Sequence, residues 1–387
     1  MAFLTNPPAG IYIHIPFCAK KCLYCDFYSI TDLSLRDDFL DALDREITAT
    51  QSLLPFDSLY IGGGTPSILP AHQIGRIIER IYRQFNLDVS AEITLEVNPG
   101  TVTLESLKAY RQSGVTRLNI GVQSFQDSML QWLGRMHSAL EAKAAIRWAR
   151  AAGFDQIGMD LIYGIPGQNR QTWIADLHQA ISFAPEHLSC YMLTCEPETP
   201  LERMKRRQEY EAMADADVCD LFEATVSELA EKGYLLYEIS NFARNDCNLP
   251  DINRSRHNQK YWTGAAYIGF GPAAHSYLCP VRYRNHRSIE TYITDIKRGM
   301  LPVAEKETLN LQQQLMEIVF LGLRTQEGIY IERFDEKSEK PFQTLFQDLL
   351  TDPELKAFFR LTLKRCALTF QGMIYLDSIA AMFVDRI

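Results

Sequence analysis

The chain has 387 residues, of which 47% are hydrophobic, and a net charge of −9 at pH 7; that is enough for one large core or two to three domains. The acidic balance gives no electrostatic basis for holding nucleic acid, and no run approaches the roughly 18 consecutive apolar residues of a membrane span. The opening MAFLTNPPAG has neither the basic stretch nor the apolar core of an export signal, and nine cysteines fit no disulfide framework, so the expected setting is the cytoplasm, where thiols stay reduced.

From residue 10 to about 195, strand-like and helix-like segments alternate. Strands are expected at IYIHIPF (11–17), SLYIGG (58–63), EITLEVN (92–98), RLNIGVQ (117–123), IGMDLIYG (157–164) and HLSCYMLT (187–194). Each is short and apolar, with Gly, Pro or Asn near its C-terminal end. In the first, alternation sets Ile11, Ile13 and Ile15 on one face for packing on helices, and Tyr12 and His14 on the other, toward a barrel interior. Leu35, Phe39, Leu43 and Ile47 recur every fourth residue behind Ser34, a suitable N-cap. Pro70 opens a second helix carrying Ile74, Ile77, Ile78, Ile81 and Phe85. Ser138 and Glu141 have capping-box spacing ahead of Ala145, Ile146 and Ala149.

Six such alternations mean parallel strands joined by right-handed crossovers. In nearly every unit the polar and glycine residues follow the strand, as in barrel enzymes; an open doubly wound sheet gathers them at one switch point. The expected fold is therefore α/β, a partial parallel (β/α)6 barrel over residues 1–200. Beyond 200 the alternation stops. PLERMKRRQEYEAM leads into a helix carrying Val218, Leu221, Phe222, Val226 and Leu229, and 233–285 is rich in Tyr, Asn, Gly and His. Helical patterns return from about 288, and ALTFQGMIYLD reads as a strand-like pair. A continuation domain is expected over 201–304, and a small helical domain of winged-helix shape over 305–387.

HIPFCAKKCLYCDFYS places Cys18, Cys22 and Cys25 in a C-x3-C-x2-C loop. Structural zinc takes four closed ligands, so a fourth would have to come from His14, Asp26 or a distant residue, and no second C-x2-C pair exists. An iron–sulfur cluster fits better, because cysteine thiolates are its normal ligands; three on a four-iron cube leave one iron open. Zinc stays as the rival. GGGTP (62–66) is either a tight turn or a place where backbone approaches a ligand closely. Glu96, Gln123, Arg135 and Asp160 lie within or just beyond strand ends. They form either an internal arginine–carboxylate pair or a site for a zwitterionic ligand bearing hydroxyls. His14 reads as a hydrogen-bonded core histidine. RHNQKYW (256–262) gathers His257, Asn258, Tyr261 and Trp262. That is either a surface loop packing on the barrel mouth, or a histidine with rings placed for a flat cofactor such as haem.

CAKKCLYC resembles the three-cysteine loop of the radical S-adenosylmethionine (SAM) enzymes. The ordered set YIGGGTPS, EVNPGT, NIGVQSF, LGRMH, DLIYGIPGQ, HLSCYML, YEISNFAR and HNQKYW is similar to the oxygen-independent coproporphyrinogen III dehydrogenase family over most of the chain. True dehydrogenases of that family carry a further cysteine two positions after the third. Here Phe27 stands in that place, and CDFYS with HNQKYW resembles the haem-chaperone, HemW-like branch.

The resemblance implies that Cys18, Cys22 and Cys25 ligate a [4Fe-4S] cluster whose open iron takes the amine and carboxylate of SAM. The reduced cluster would split SAM into methionine and a 5′-deoxyadenosyl radical. It further implies SAM contacts at Tyr12, Gly63, Gly64, Thr65, Glu96, Gln123, Arg135 and Asp160, with Tyr24 against the adenine. Haem contact falls to His257, with Asn258, Tyr261 and Trp262 shaping the site; NDCNLPDINRSR (245–256) ahead of it is longer than usual. No residue is assigned a catalytic role. The implied partners are haem, an unidentified acceptor haemoprotein (a membrane-associated one included), and a flavodoxin or ferredoxin as electron donor if SAM is cleaved. A porphyrinogen dehydrogenase and a zinc-stabilised binding protein are the alternatives.

Overall fold

The structure is a computed structural model that describes residues 7–249 and 251–387. Residues 1–6, where the reading for an export signal begins, lie outside the described residues, as does Pro250 within the 245–256 segment.

The six expected strands are β1 (Ala9–Ile15), β2 (Pro55–Gly63), β3 (Asn86–Val97), β4 (Arg117–Gln123), β5 (Gln156–Tyr163) and β6 (His187–Met192). They are followed by β7 (Tyr234–Glu238), β8 (Asn241–Arg244), β9 (Tyr267–Phe270), β10 (His275–Leu278), β11 (Val281–Asn285) and β12 (Val303–Thr308). All twelve share one sheet, in the order β12-β11-β10-β9-β1-β2-β3-β4-β5-β6-β8-β7. Strands β1 to β6 stand side by side in chain order and pair in parallel. This is a barrel wall; a doubly wound sheet would reverse direction in its middle. β9 joins β1 in parallel and β8 joins β6 antiparallel, so β1 and β6 do not meet and the wall stays open. The boundary expected at 304 falls inside β12.

The crossover helices are α1 (Arg36–Ala49), α2 (Ala71–Gln84), α3 (Leu104–Gln112), α4 (Asp127–Trp132), α5 (Ala139–Ala151) and α6 (Arg170–Ile181). Phe39, Leu43 and Ile47 of α1 pack in one core with Ile11, Ile13 and Ile15, all three fully buried. The other face of β1 turns Tyr12 and His14 inward, as alternation requires. Ser34 does not cap α1. Its amide instead donates to Asp32 Oδ1 at 2.8 Å, and Leu35 takes the cap position without a side-chain bond; a local Asx turn wins over the cap. Pro70 does precede α2, and Ser138 and Glu141 do form the capping box of α5.

Later helices are α7 (Pro200–Arg206), α8 (Asp215–Glu231), α9 (Arg256–Thr263), α10 (Ile289–Lys297) and α11 (Leu311–Leu323). RHNQKYW is thus helix rather than loop. Ser255 caps it by accepting from the Asn258 amide at 3.2 Å, and Gly264, at φ 60°, ends it. The C-terminal part joins its short helices to a small sheet. It holds a three-stranded antiparallel sheet of β13 (Ile329–Tyr330), β14 (Phe359–Leu361) and β15 (Arg365–Leu368), in the order β13-β15-β14. Phe334, Phe342, Phe346 and Phe383 form its core. Only the start of ALTFQGMIYLD is strand. Thr369 accepts from the Gly372 amide and starts two short helices over 370–374 and 376–384. Among the described residues, no helix is long and apolar enough to cross a membrane.

Candidate functional site

The cysteine loop leaves the C-terminal end of β1 and is tied at its base. Cys18 N donates to Ile30 O at 2.9 Å, and Ile30 N donates to Pro16 O at 2.8 Å. Cys18 is buried, Cys22 and Cys25 are half-buried, and all three thiols are free. Two of the sulfurs already accept a hydrogen bond: Thr65 Oγ1 donates to Cys18 Sγ at 3.4 Å, and Arg135 Nη1 to Cys22 Sγ at 3.5 Å. Burial, with the other two thiols nearby, pushes Cys25 up to about 11. To act as thiolates, neighbouring sulfurs of this kind need a cation among them. Among the described residues, no three His, Cys, Asp or Glu side chains converge on one point as a single ion requires. The donor set, three cysteine sulfurs with no fourth protein ligand in the loop, is the chemistry that suits an iron–sulfur cluster.

The GGGTP turn follows β2 and lies against this loop. A Cβ on Gly64 would sit 2.5 Å from Phe17 O and 3.0 Å from Cys18 Sγ, and Gly63 has φ 115°; both positions need glycine. On β3, Glu96 accepts from Tyr60 Oη at 2.8 Å and from the Gly63 amide at 3.2 Å. Burial pushes its carboxyl up to about 7. Asn119 of β4 stands beside Glu96 in register and donates to Asp160 Oδ2 on β5 at 2.7 Å. The register slips between Gly121 and Gln123, where Gln123 has φ 68°. That bulge re-aims the last side chain of β4.

These groups line one cavity of about 850 Å³, together with Tyr24, Cys25, Gly63, Gly64 and Thr65. Four buried polar atoms of residues on its wall have no hydrogen-bond partner among the described residues: Gln123 Oε1, Asp160 Oδ1, Arg135 Nε and Arg324 Nε. Two are acceptors and two are donors, so the complementary ligand carries both kinds of group, as a zwitterion with hydroxyls does. Asp160 takes its hydrogen bond from Asn119, not from an arginine, so the internal ion pair weighed from sequence is not what holds it.

Tyr12 lies apart from this group. It faces a second cavity of about 470 Å³, which abuts the first at Asp26, Phe27, Tyr60, Glu96 and Tyr191. His257, Asn258 and Tyr261 also line the second cavity, whereas Trp262 does not; its ring lies under the Arg324 guanidinium at 4.9 Å. His257 is 1% exposed and held on both sides, Nδ1 to Ser58 Oγ at 3.1 Å and Nε2 to Tyr261 Oη at 3.0 Å. Its ring stacks on Tyr60 with centroids 5.2 Å apart, and burial lowers its pKa to about 3, which keeps it neutral. His14 is the hydrogen-bonded core histidine expected, bonded to Tyr12 Oη and Tyr28 O.

Sequence reasoning missed several wall residues. Asn119 was within reach, because alternation in RLNIGVQ puts it on the face of Gln123. The 373–378 segment and Arg324, which close the first cavity from the C-terminal part, carry no such local signal.

Residues 12–180 match the model of the radical SAM superfamily, and residues 309–375 that of the HemN C-terminal domain. The chain is 32% identical to the heme chaperone HemW of Bacillus subtilis (strain 168) over 97% of this chain and 99% of that protein. It is 33% identical to the heme chaperone HemW of Lactococcus lactis subsp. lactis (strain IL1403) over 90% of each. Among solved structures, the coproporphyrinogen III oxidase HemN of Escherichia coli, a radical SAM enzyme, superposes with a TM-score of 0.84 at 23% identity. That likeness covers 99% of this chain and 91% of the other, and it carries the fold alone. Matched along nearly its whole length by such relatives, the chain belongs to the family of the heme chaperone HemW, within the radical SAM superfamily.

Proposed function

We propose that this protein is a haem chaperone built on a radical SAM site, which binds a [4Fe-4S] cluster, SAM and haem and passes the haem to an acceptor haemoprotein. Cys18, Cys22 and Cys25 would hold the cluster, and Tyr24, Gly63, Gly64, Thr65, Glu96, Gln123, Arg135 and Asp160 would hold SAM, with Tyr12 behind them. When bound, the cluster and SAM supply one-electron reductive chemistry at the open iron. The chain's own part is to bind and orient. Thr65 and Arg135 donate to the Cys18 and Cys22 sulfurs and stabilise their charge. Arg135 Nε is free to donate to a carboxylate, while Asp160 Oδ1 and Gln123 Oε1 are free to accept from an amine or ribose hydroxyls. Haem is the cargo, with His257, Asn258 and Tyr261 shaping its cavity. A flavodoxin or ferredoxin would supply the electron wherever SAM is cleaved, and the cytoplasm is the working compartment.

The observation that carries this reading is that the free-thiol loop reaches, through Cys25, the wall of one cavity that also carries four unpartnered buried polar atoms. The test is anaerobic reconstitution followed by metal analysis and haem titration. About four irons and four sulfides per chain are expected, with saturable haem uptake. Zinc without iron or sulfide, or no saturable haem uptake, would overturn it.

A further inference from the structure

The second cavity contains three histidines, and they are not equivalent. His14 and His257 each have both ring nitrogens engaged inside the sheet. Either could reach a metal only by giving up a buried hydrogen bond and leaving its partner unsatisfied. His275, the first residue of β10, lines the same cavity but is exposed, and its ring makes no hydrogen bond among the described residues. Partial burial and the neighbouring Arg284 and Arg282 hold its pKa below the ordinary histidine value, so the ring is neutral and its lone pair available at neutral pH.

Around it the cavity is lined by aromatic side chains, with its carboxylates, Asp26 and Glu96, on the side shared with the first cavity and its arginines, Arg284 and Arg287, among the lining residues. Tyr12, Tyr28, Tyr261 and Tyr267 line it, and about 470 Å³ lies within the range of small-molecule sites. Two arginines stand at this wall. Arg284 is the direct cross-strand partner of His275, and its one carboxylate neighbour, Glu305, is itself largely exposed. Arg287 is exposed, lies over the Tyr28 ring at 6.0 Å and, among the described residues, donates only to a backbone carbonyl, Asp26 O at 3.1 Å. Both can turn toward carboxylates.

We infer that haem is carried in this second cavity, with His275 donating the axial nitrogen to the iron and Arg284 and Arg287 receiving the two propionates. His257 shapes the floor beneath the ring but does not ligate. The inference rests on the haem-carrying function proposed above and adds where and by which atom the cargo is held. An iron ligand on the exposed side of the cavity also suits a cargo that has to be released to another protein.

The test titrates ferric haem into the full chain, with its cluster reconstituted anaerobically, and reads the Soret band and the resonance Raman signature of axial ligation. In His275→Ala, affinity falls at least about tenfold and the histidine-ligated spectrum is lost, with added imidazole restoring it. His275→Met, which keeps a ligand of another kind, shows a changed axial signature, and this separates ligation from any effect on folding. His257→Ala weakens binding yet keeps the histidine-ligated spectrum. Arg284→Gln with Arg287→Gln weakens binding of haem but not of its dimethyl ester. An unchanged spectrum in both His275 variants, or loss of histidine ligation in His257→Ala, overturns the assignment while haem binding stands. Absence of saturable binding by the unaltered protein overturns the haem-carrying function itself.

Discussion

Gly64 lets the GGGTP turn lie directly on the thiol loop, and nothing there can move aside for a side chain. The atoms a Cβ would meet first are backbone, Phe17 O at 2.5 Å and Phe17 C at 2.9 Å, and the next is the Cys18 sulfur at 3.0 Å. A methyl group must therefore push the turn away from the loop, at a cost on the order of 1–3 kcal/mol concentrated on the geometry of Cys18. Gly64→Ala is expected to keep its far-UV circular dichroism and lose half or more of the iron and sulfide it takes up on reconstitution. Thr65→Val, which removes only the hydrogen bond to Cys18 Sγ, is expected to retain full iron content. Equal iron in Gly64→Ala and the unaltered protein would show that the loop relaxes around the methyl group.

At the scale of elements, the end of β4 decides how the cavity wall is aimed. Regular alternation would carry the strand straight on; the slip after Gly121 and the left-handed backbone of Gln123 turn its amide instead, leaving Oε1 unpartnered. A β-branched residue is strained in that conformation, whereas asparagine adopts it readily. Gln123→Ile is expected to lower stability by about 1–3 kcal/mol, and Gln123→Asn by much less, while both weaken SAM binding in equilibrium dialysis. Equal denaturation midpoints for the two variants would mean that the backbone does not hold this strain. The parallel wall was legible because alternation and crossover length are local properties: RLNIGVQ alone gave β4 its limits and its polar face. Helix α9 was not, because eight residues hold too few apolar positions for a period to show. Its stop and start come instead from Ser255 and Gly264. His275, Arg324 and the 373–378 segment were invisible for a different reason. They enter the cavities from strands and helices that sequence spacing alone does not place.

Across the whole molecule, one carboxylate joins the barrel to the strands added at its β1 edge. Glu46, on the first crossover helix, accepts from the Gly271 amide at 2.9 Å, from Asn285 Nδ2 at 2.6 Å and from Tyr292 Oη at 2.6 Å. The three donors come from the end of β9, from β11 and from α10, so the group ties more than 200 residues of sequence separation into one point. Burial dominates over these three bonds and pushes its carboxyl from 4.5 up to about 7. Between those two values the folded chain keeps a proton that the unfolded chain has released. The added stability is therefore full below about pH 4.5, falls as pH rises, and is gone above about 7. Glu46→Gln removes the titration but keeps the size, so it isolates this group from every other carboxyl and histidine in the protein. Urea denaturation of both proteins from pH 4.5 to 8 is expected to show the stability advantage of the unaltered chain shrinking with rising pH, by up to about 3 kcal/mol across the window. Midpoints that stay parallel over that range would mean that three donors outweigh burial, and that Glu46 is ionised in the folded protein throughout.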